Sequence, residues 1–168
     1  MKKIPFNTPF ITGQEIKYIR DVFKQNIFYG NSKFTKLCEN KISKSINSKY
    51  VLLTDSCTSA LEIAALISKK SISDEVIMPS YTFTSTAAAF LKAGFKIRFA
   101  EIDPFTAMID PKDVIQKITK KTRALVVVHY AGFKAEITEL KKICSTHDHG
   151  KYAVHIKADF KPITRFRK

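Results

Sequence analysis

Two short segments hold the residues whose types and spacing could do chemistry. The first is Thr54-Asp55-Ser56-Cys57-Thr58-Ser59, a run of small, mostly hydroxylated residues between an apolar stretch and a helical pattern. A chain that turns into a helix through such residues leaves backbone N–H groups free at the helix N-terminus, a natural seat for phosphate. The second is Pro79-Ser80-Tyr81-Thr82-Phe83-Thr84-Ser85-Thr86, which delivers an aromatic ring among Ser and Thr hydroxyls. A phosphate seat followed by an aromatic plate is what a planar phosphorylated ligand needs. Each piece also has a plainer reading. Ser56 to Ser59 could be an ordinary N-cap, Phe83 could be a core residue, and His129, after four apolar residues, could be a satisfied buried histidine. Cys57 beside a helix start has the setting of a low-pKa thiolate, but no His or Asp pattern partners it.

The elements that must position these residues follow from periodicity. Ile16, Ile19, Val22 and Phe23 recur at helical spacing and predict a helix over 13–25. Tyr29-Gly30-Asn31 marks a turn. Phe34, Leu37, Cys38, Ile42 and Ile46 predict a second helix over 33–46. Tyr50 to Leu53 reads as a buried strand. A helix follows from Thr58 to Ser68, with Leu61, Ala64, Ala65 and Leu66 inward. Further strands are expected at Glu75–Pro79, Phe95–Ile102 and Thr122–His129, and further helices at Thr84–Ala93, 111–119 and Ala135–Ser145. Alternating strands and helices of this length predict an α/β fold, a parallel or mixed sheet with helices on both faces. Ligands in such sheets bind at the carboxyl ends of strands. The segments 54–59, 79–85 and 129–132 should therefore converge on one edge.

The 168 residues are enough for one domain with a core, and a mean hydropathy of −0.12 suits a globular chain. No run approaches the ~20 apolar residues of a membrane span. No long apolar run follows Met1-Lys2-Lys3, so no secretory signal is expected and the cytoplasm is the default location. Three cysteines without CxxC or metal spacing argue against a disulfide framework; Cys38 and Cys144 read as small core residues. His147, Asp148 and His149 read as a solvated loop rather than a metal site. The net charge of +14 could attract an anionic partner, but the lysines are scattered through every segment, which disfavours nucleic acid. Residues 1–150 read as one domain portion, and 151–168 as an atypical basic tail.

Taken together, Val51-Leu52-Leu53-Thr54, Ser56-Cys57-Thr58, Leu61-Glu62, Asp74 to Phe83, Ser85-Thr86-Ala87, Ile109-Asp110, Lys121-Thr122-Arg123 and Val128 to Gly132 resemble one family. Ile4 to Asn7 adds to the match. The chain resembles the DegT/DnrJ/EryC1/StrS sugar-nucleotide aminotransferases, within the fold-type I pyridoxal-phosphate enzymes. The branch it is most similar to makes dTDP-4-amino-4,6-dideoxygalactose from dTDP-4-keto-6-deoxyglucose, with glutamate as amino donor.

The resemblance implies a three-layer α/β sandwich and a homodimer whose site the neighbouring subunit completes. It implies pyridoxal phosphate as cofactor and surface polysaccharide synthesis, lipopolysaccharide included, as the setting. Cys57, Thr58 and Ser59 would hold the cofactor phosphate, and Phe83 would stack on the pyridine ring. Tyr29, Gly30, Asn31 and His129 would line the nucleotide-sugar side.

The text departs from the family after residue 145. The acidic motif that pairs with the pyridine nitrogen is absent there; Asp159 lacks the surrounding pattern. The chain ends before the position of the Schiff-base lysine, so no catalytic residue is assigned. The expectation is a truncated large domain that does not transaminate alone. The rival expectation is a non-catalytic remnant that pairs with a full-length relative. An incomplete sheet would also leave apolar edges exposed and lower solubility.

Overall fold

The computed structural model describes residues 8–131 and 133–146 and the backbone of residues 152–157. The chain divides into two compact units, Met1–Leu53 and Thr54–Lys168.

The first unit carries two helices, α1 (Glu15–Gln25) and α2 (Lys33–Ile46), close to where periodicity put them. Thr12, three residues before Glu15, bonds the Glu15 carboxylate through both its N–H and its hydroxyl at 2.8 Å. The contact folds the chain just ahead of α1, whose N-cap is Gln14. The Thr12 amide, first among several donors, lowers the Glu15 pKa to about 2. Both helices stop at an asparagine in the left-handed region, Asn26 (φ 53°) and Asn47 (φ 50°).

Two expectations fail in this unit. Tyr50 to Leu53 is not a strand: it pairs with no ladder, and Tyr50 and Leu52 are exposed. An apolar run becomes a strand only where a neighbour offers hydrogen bonds. Here the Leu53 N–H is donated to the Glu39 carboxylate instead, at 3.2 Å. Cys38 is exposed rather than a core residue. Among the described residues of its unit no strand lies against α2, and the only buried residue of α2 is Glu39.

The second unit is a βα sheet. Its elements are α3 (Cys57–Ser68), β1 (Glu75–Pro79), α4 (Thr84–Lys92) and β2 (Lys96–Ala100), then α5 (Pro111–Lys117), β3 (Thr122–His129), α6 (Ile137–Thr146) and β4 (Tyr152–Lys157). The order across the sheet is β2-β1-β3-β4, and every pair is parallel. β4 lies in the segment set apart above as a tail, and its backbone pairs with β3 from Ala124 to His129. The expected strand at 95–102 is shorter than predicted, because Ile102 leaves the ladder for an antiparallel bridge to Ile109.

The central strands bury both faces, as parallel strands must when helices cover each side. Val76 and Met78, with Ala124, Val126 and Val128, pack under α3 and α4 beside Leu61, Ala64 and Phe90. Ile77, Leu125 and Val127 point the other way, onto Val114, Leu140 and Ile143. Leu66, expected inward, is 65% exposed. At 100° per residue the buried face of α3 is Leu61, Ala64, Ala65 and Ser68, and position 66 falls opposite it. Gly94 (φ +79°) ends α4, where the Phe95 N–H reaches back to the Phe90 carbonyl at 3.0 Å.

Asp74 ties the chain together at the start of β1. Burial raises its pKa, but the N–H groups of Lys70 (2.7 Å) and Ser71 (2.8 Å) and the Arg123 guanidinium outweigh it, and the net shift is downward. A depressed folded pKa means stability that is complete above the ordinary value of 3.8 and is lost as pH falls through the lower folded value. Asp74→Asn should lower stability by about 1–3 kcal/mol near neutrality. It should also flatten the acid limb below about pH 4. Urea titrations of both proteins at several pH values measure both effects. An unchanged acid limb would remove Asp74 from this role.

Candidate functional site

The strand order places the site. From β1 the chain steps outward to β2, then crosses back over β1 to β3 and on to β4. The loops leaving β1 and β3 therefore run in opposite directions, which opens a crevice at their carboxyl ends. A cavity of about 580 Å³ lies in that crevice. Cys57, Thr58 and Leu61 of α3 form one wall. Tyr81, Thr82 and Phe83 of the β1–α4 loop form another, with Ser85 and Thr86 of α4, and Val128 and Tyr130 close it from β3.

The α3 end is built by its cap. Ser56 has extended backbone (φ −150°, ψ 160°), and its Oγ accepts from the Ser59 N–H at 3.1 Å. The Ser56 and Ser59 hydroxyls are 2.9 Å apart, and Thr54 Oγ1 donates to the Ser56 carbonyl at 2.8 Å. With Ser59 capped, the N–H groups of Cys57 and Thr58 are the first-turn donors that have no acceptor within the helix. The cap and phosphate readings of Ser56 to Ser59 are thus compatible: one residue caps, and its neighbours keep donors at the cavity. Ser59 itself does not line the cavity. Its hydroxyl bonds Asp55 and holds that carboxyl below its usual range. Removing the cap with Ser56→Ala should cost about 1 kcal/mol, read from urea unfolding; a change below about 0.3 kcal/mol would discard the cap.

Phe83 precedes the first residue of α4 and is 79% exposed at the cavity, so it is not a core residue. Its loop is fastened by the Ser80 N–H to the Ala100 carbonyl (2.8 Å), the Thr86 N–H to the Phe83 carbonyl (2.9 Å), and Thr82 Oγ1 to Thr86 Oγ1 (3.1 Å). Tyr81 and Tyr130 face each other across the crevice. Their hydroxyl oxygens are 3.0 Å apart, and their rings meet edge to face at 5.1 Å and 75°. The hydrogen bond shared with Tyr130 holds the proton on the Tyr81 phenol and raises its pKa above the usual value. Neither tyrosine was assigned a role from sequence. Both stood inside quoted motifs, but nothing local shows that residues 49 apart will touch.

Of the other expected site residues, His129 is buried at the end of β3 and does not line the cavity. Its Nδ1 accepts the Ala135 N–H at 3.0 Å and so shapes the turn into α6. Tyr29, Gly30 and Asn31 connect α1 to α2 in the other unit, with Tyr29 exposed and Asn31 at φ 60°. Gly132, the 147–149 cluster and Asp159 lie outside the described residues. Among the described residues no helix is long and apolar enough to cross a membrane.

The donor set fits a flat ring bearing a phosphate: free helix N–H groups and a Thr58 side chain at one end, an exposed aromatic ring at another, and room between them. The architecture is a parallel α/β sheet with a ligand crevice at its switch point. The chain belongs to the DegT/DnrJ/EryC1/StrS aminotransferase family, whose pattern matches residues 9–150. Its fold is that of the fold-type I pyridoxal-phosphate aminotransferases. The GDP-perosamine synthase of Vibrio cholerae is 28% identical over 151 residues, which are 90% of this chain and 41% of that protein. The Escherichia coli GDP-4-keto-6-deoxy-D-mannose-3-dehydratase, solved with bound hydrated pyridoxal phosphate, superposes with a TM-score of 0.81 at 25% identity, covering 92% of this chain and 41% of that one. The Helicobacter pylori aminotransferase PseC, of pseudaminic acid biosynthesis, superposes with a TM-score of 0.80 at 25% identity, over 92% of this chain and 41% of its own. The chain thus spans about two fifths of the length of these relatives.

Proposed function

We propose that residues 54–131 supply the phosphate-binding and ring-stacking half of a pyridoxal phosphate site in a sugar-nucleotide aminotransferase. The observation that supports this most directly is the crevice itself: first-turn N–H groups of α3 and the exposed Phe83 ring border one cavity at the strand ends. Cys57 and Thr58 would hold the phosphate through their backbone donors, with the Thr58 hydroxyl as a further donor. Phe83 would cover the ring. The bound cofactor would supply an electron sink for moving an amino group from glutamate to a keto sugar. On this reading the sugar is a dTDP-linked 4-keto-6-deoxyhexose, the assembly is a homodimer, and the setting is polysaccharide synthesis. On this reading residues 54–131 bind and orient the cofactor, and none of them is assigned the Schiff-base role.

Pyridoxine phosphate tests the binding claim, since it lacks the aldehyde and cannot react with lysines. The chain has no Trp and six Tyr, so tyrosine emission reports on the crevice. Saturable quenching that excess inorganic phosphate reverses is the expected result. Absence of saturable quenching overturns the reading. Borohydride treatment with pyridoxal phosphate should leave no lysine preferentially modified, as peptide mass spectrometry would show. A single dominant modified lysine would assign the Schiff-base role to that residue.

A further inference from the structure

The geometry points to Tyr81 and Tyr130 acting as one positioning unit, a brace that holds the two strand-end loops in register and sets the crevice for a ring-bearing phosphate rather than phosphate alone. The ligand part of this inference rests on the proposed function; the brace itself does not. Tyr81 follows β1 and Tyr130 follows β3, which are neighbouring strands whose loops diverge. Each loop is otherwise fastened to its own surroundings. The Thr86 N–H bonds the Phe83 carbonyl, the Phe133 N–H bonds the Tyr130 carbonyl at 2.9 Å, and the Ala135 N–H bonds His129. The hydroxyl contact at 3.0 Å and the edge-to-face rings join one loop to the other. Phe83 lies two residues from Tyr81, so the brace limits where that ring can stand.

A pair of phenols holds two protons. One is spent in the mutual bond, whichever way it points, and the other remains on the accepting hydroxyl. A ligand oxygen at the ring side of the cavity would find that single donor. The phosphate donors on α3 belong to a different wall and do not depend on it.

Tyr81→Phe and Tyr130→Phe remove the hydroxyls and keep the rings. Without any ligand, Tyr81→Phe should speed amide exchange at Phe133 and Ala135, and Tyr130→Phe should speed it at Thr86, each about fivefold. Exchange that rises only in the substituted loop overturns the brace. With pyridoxine phosphate as probe, each single variant and the double variant should weaken binding by the same amount, about fivefold, because either change breaks the same unit. Inorganic phosphate should bind all of them like the unsubstituted chain. Losses that multiply in the double variant, or that arise from one tyrosine alone, overturn the shared role. If the unsubstituted chain binds no pyridoxine phosphate, the cofactor reading fails while the exchange experiment still judges the brace.

Discussion

Thr58→Asp should weaken phosphate-ligand binding about a hundredfold while leaving the fold intact. Thr58 is the second residue of α3, and its side chain borders the cavity. On the proposed reading a carboxylate there would stand beside the ligand's phosphate, at a separation taken as about 5 Å. Two like charges at that distance repel by roughly 3 kcal/mol at an effective dielectric of about 20, which is about a hundredfold in affinity. The same carboxylate sits in the first turn of a helix, where negative charge is stabilising by about 0.3–1 kcal/mol. Affinity and stability should therefore move in opposite directions, which a merely damaged protein would not show. Quenching by pyridoxine phosphate and a thermal melt measure the two. Thr58→Val, which removes the hydroxyl but not the backbone donors, should weaken binding only several-fold. Undiminished binding by Thr58→Asp would place the phosphate elsewhere.

Phe90→Ala should be the most destabilising single change, at about 3–5 kcal/mol. The Phe90 ring is fully buried beneath α4 and meets Phe95 edge to face at 5.3 Å and 73°. Domains of this kind have about 5–15 kcal/mol in total, so the loss is a large share. Phe95 follows Gly94, and its N–H bonds the Phe90 carbonyl, so the ring pair also fixes the turn into β2. Equilibrium urea unfolding checks this, and a loss below about 1.5 kcal/mol would contradict the packing described. The loss should appear as a lower midpoint with an unchanged slope.

The elements of the second unit were nearly all legible in the chain. Thr122 to His129 is a strand because four consecutive aliphatics, Leu125 to Val128, can be buried on both faces, and Pro111 after Asp110 starts a helix because proline suits its first position. The Asp110 carboxylate accepts the Lys112 N–H at 2.9 Å, the cap that this order implies. The failures have a common cause. Tyr50 to Leu53 and Cys38 on α2 read as buried from their apolar surroundings, yet hydropathy says only that a segment gains by being covered. The cover has to exist. Leu66 on α3 fails more simply, since a helix apolar on every side does not announce which face the sheet will take.

The candidate site divides along the same line. Cys57, Thr58 and Phe83 were visible because a cap, a hydroxyl run and an aromatic after a strand are local patterns. Ser59 was assigned to the phosphate, but its hydroxyl is engaged by Ser56 and Asp55, a choice among neighbours only a few ångströms apart. His129 was legible as a strand-end residue but not as the acceptor for Ala135.

Residue order alone determined the βα rhythm, the capped turn at Ser56, the left-handed stops and the kinship of the chain, because these depend on contacts within a few positions. Tertiary structure alone decided that β1 lies between β2 and β3, that a crevice opens where their loops part, and that Tyr81 meets Tyr130. Strand order is set by which faces can be buried together and by how crossing helices pack, and those terms involve residues tens of positions apart.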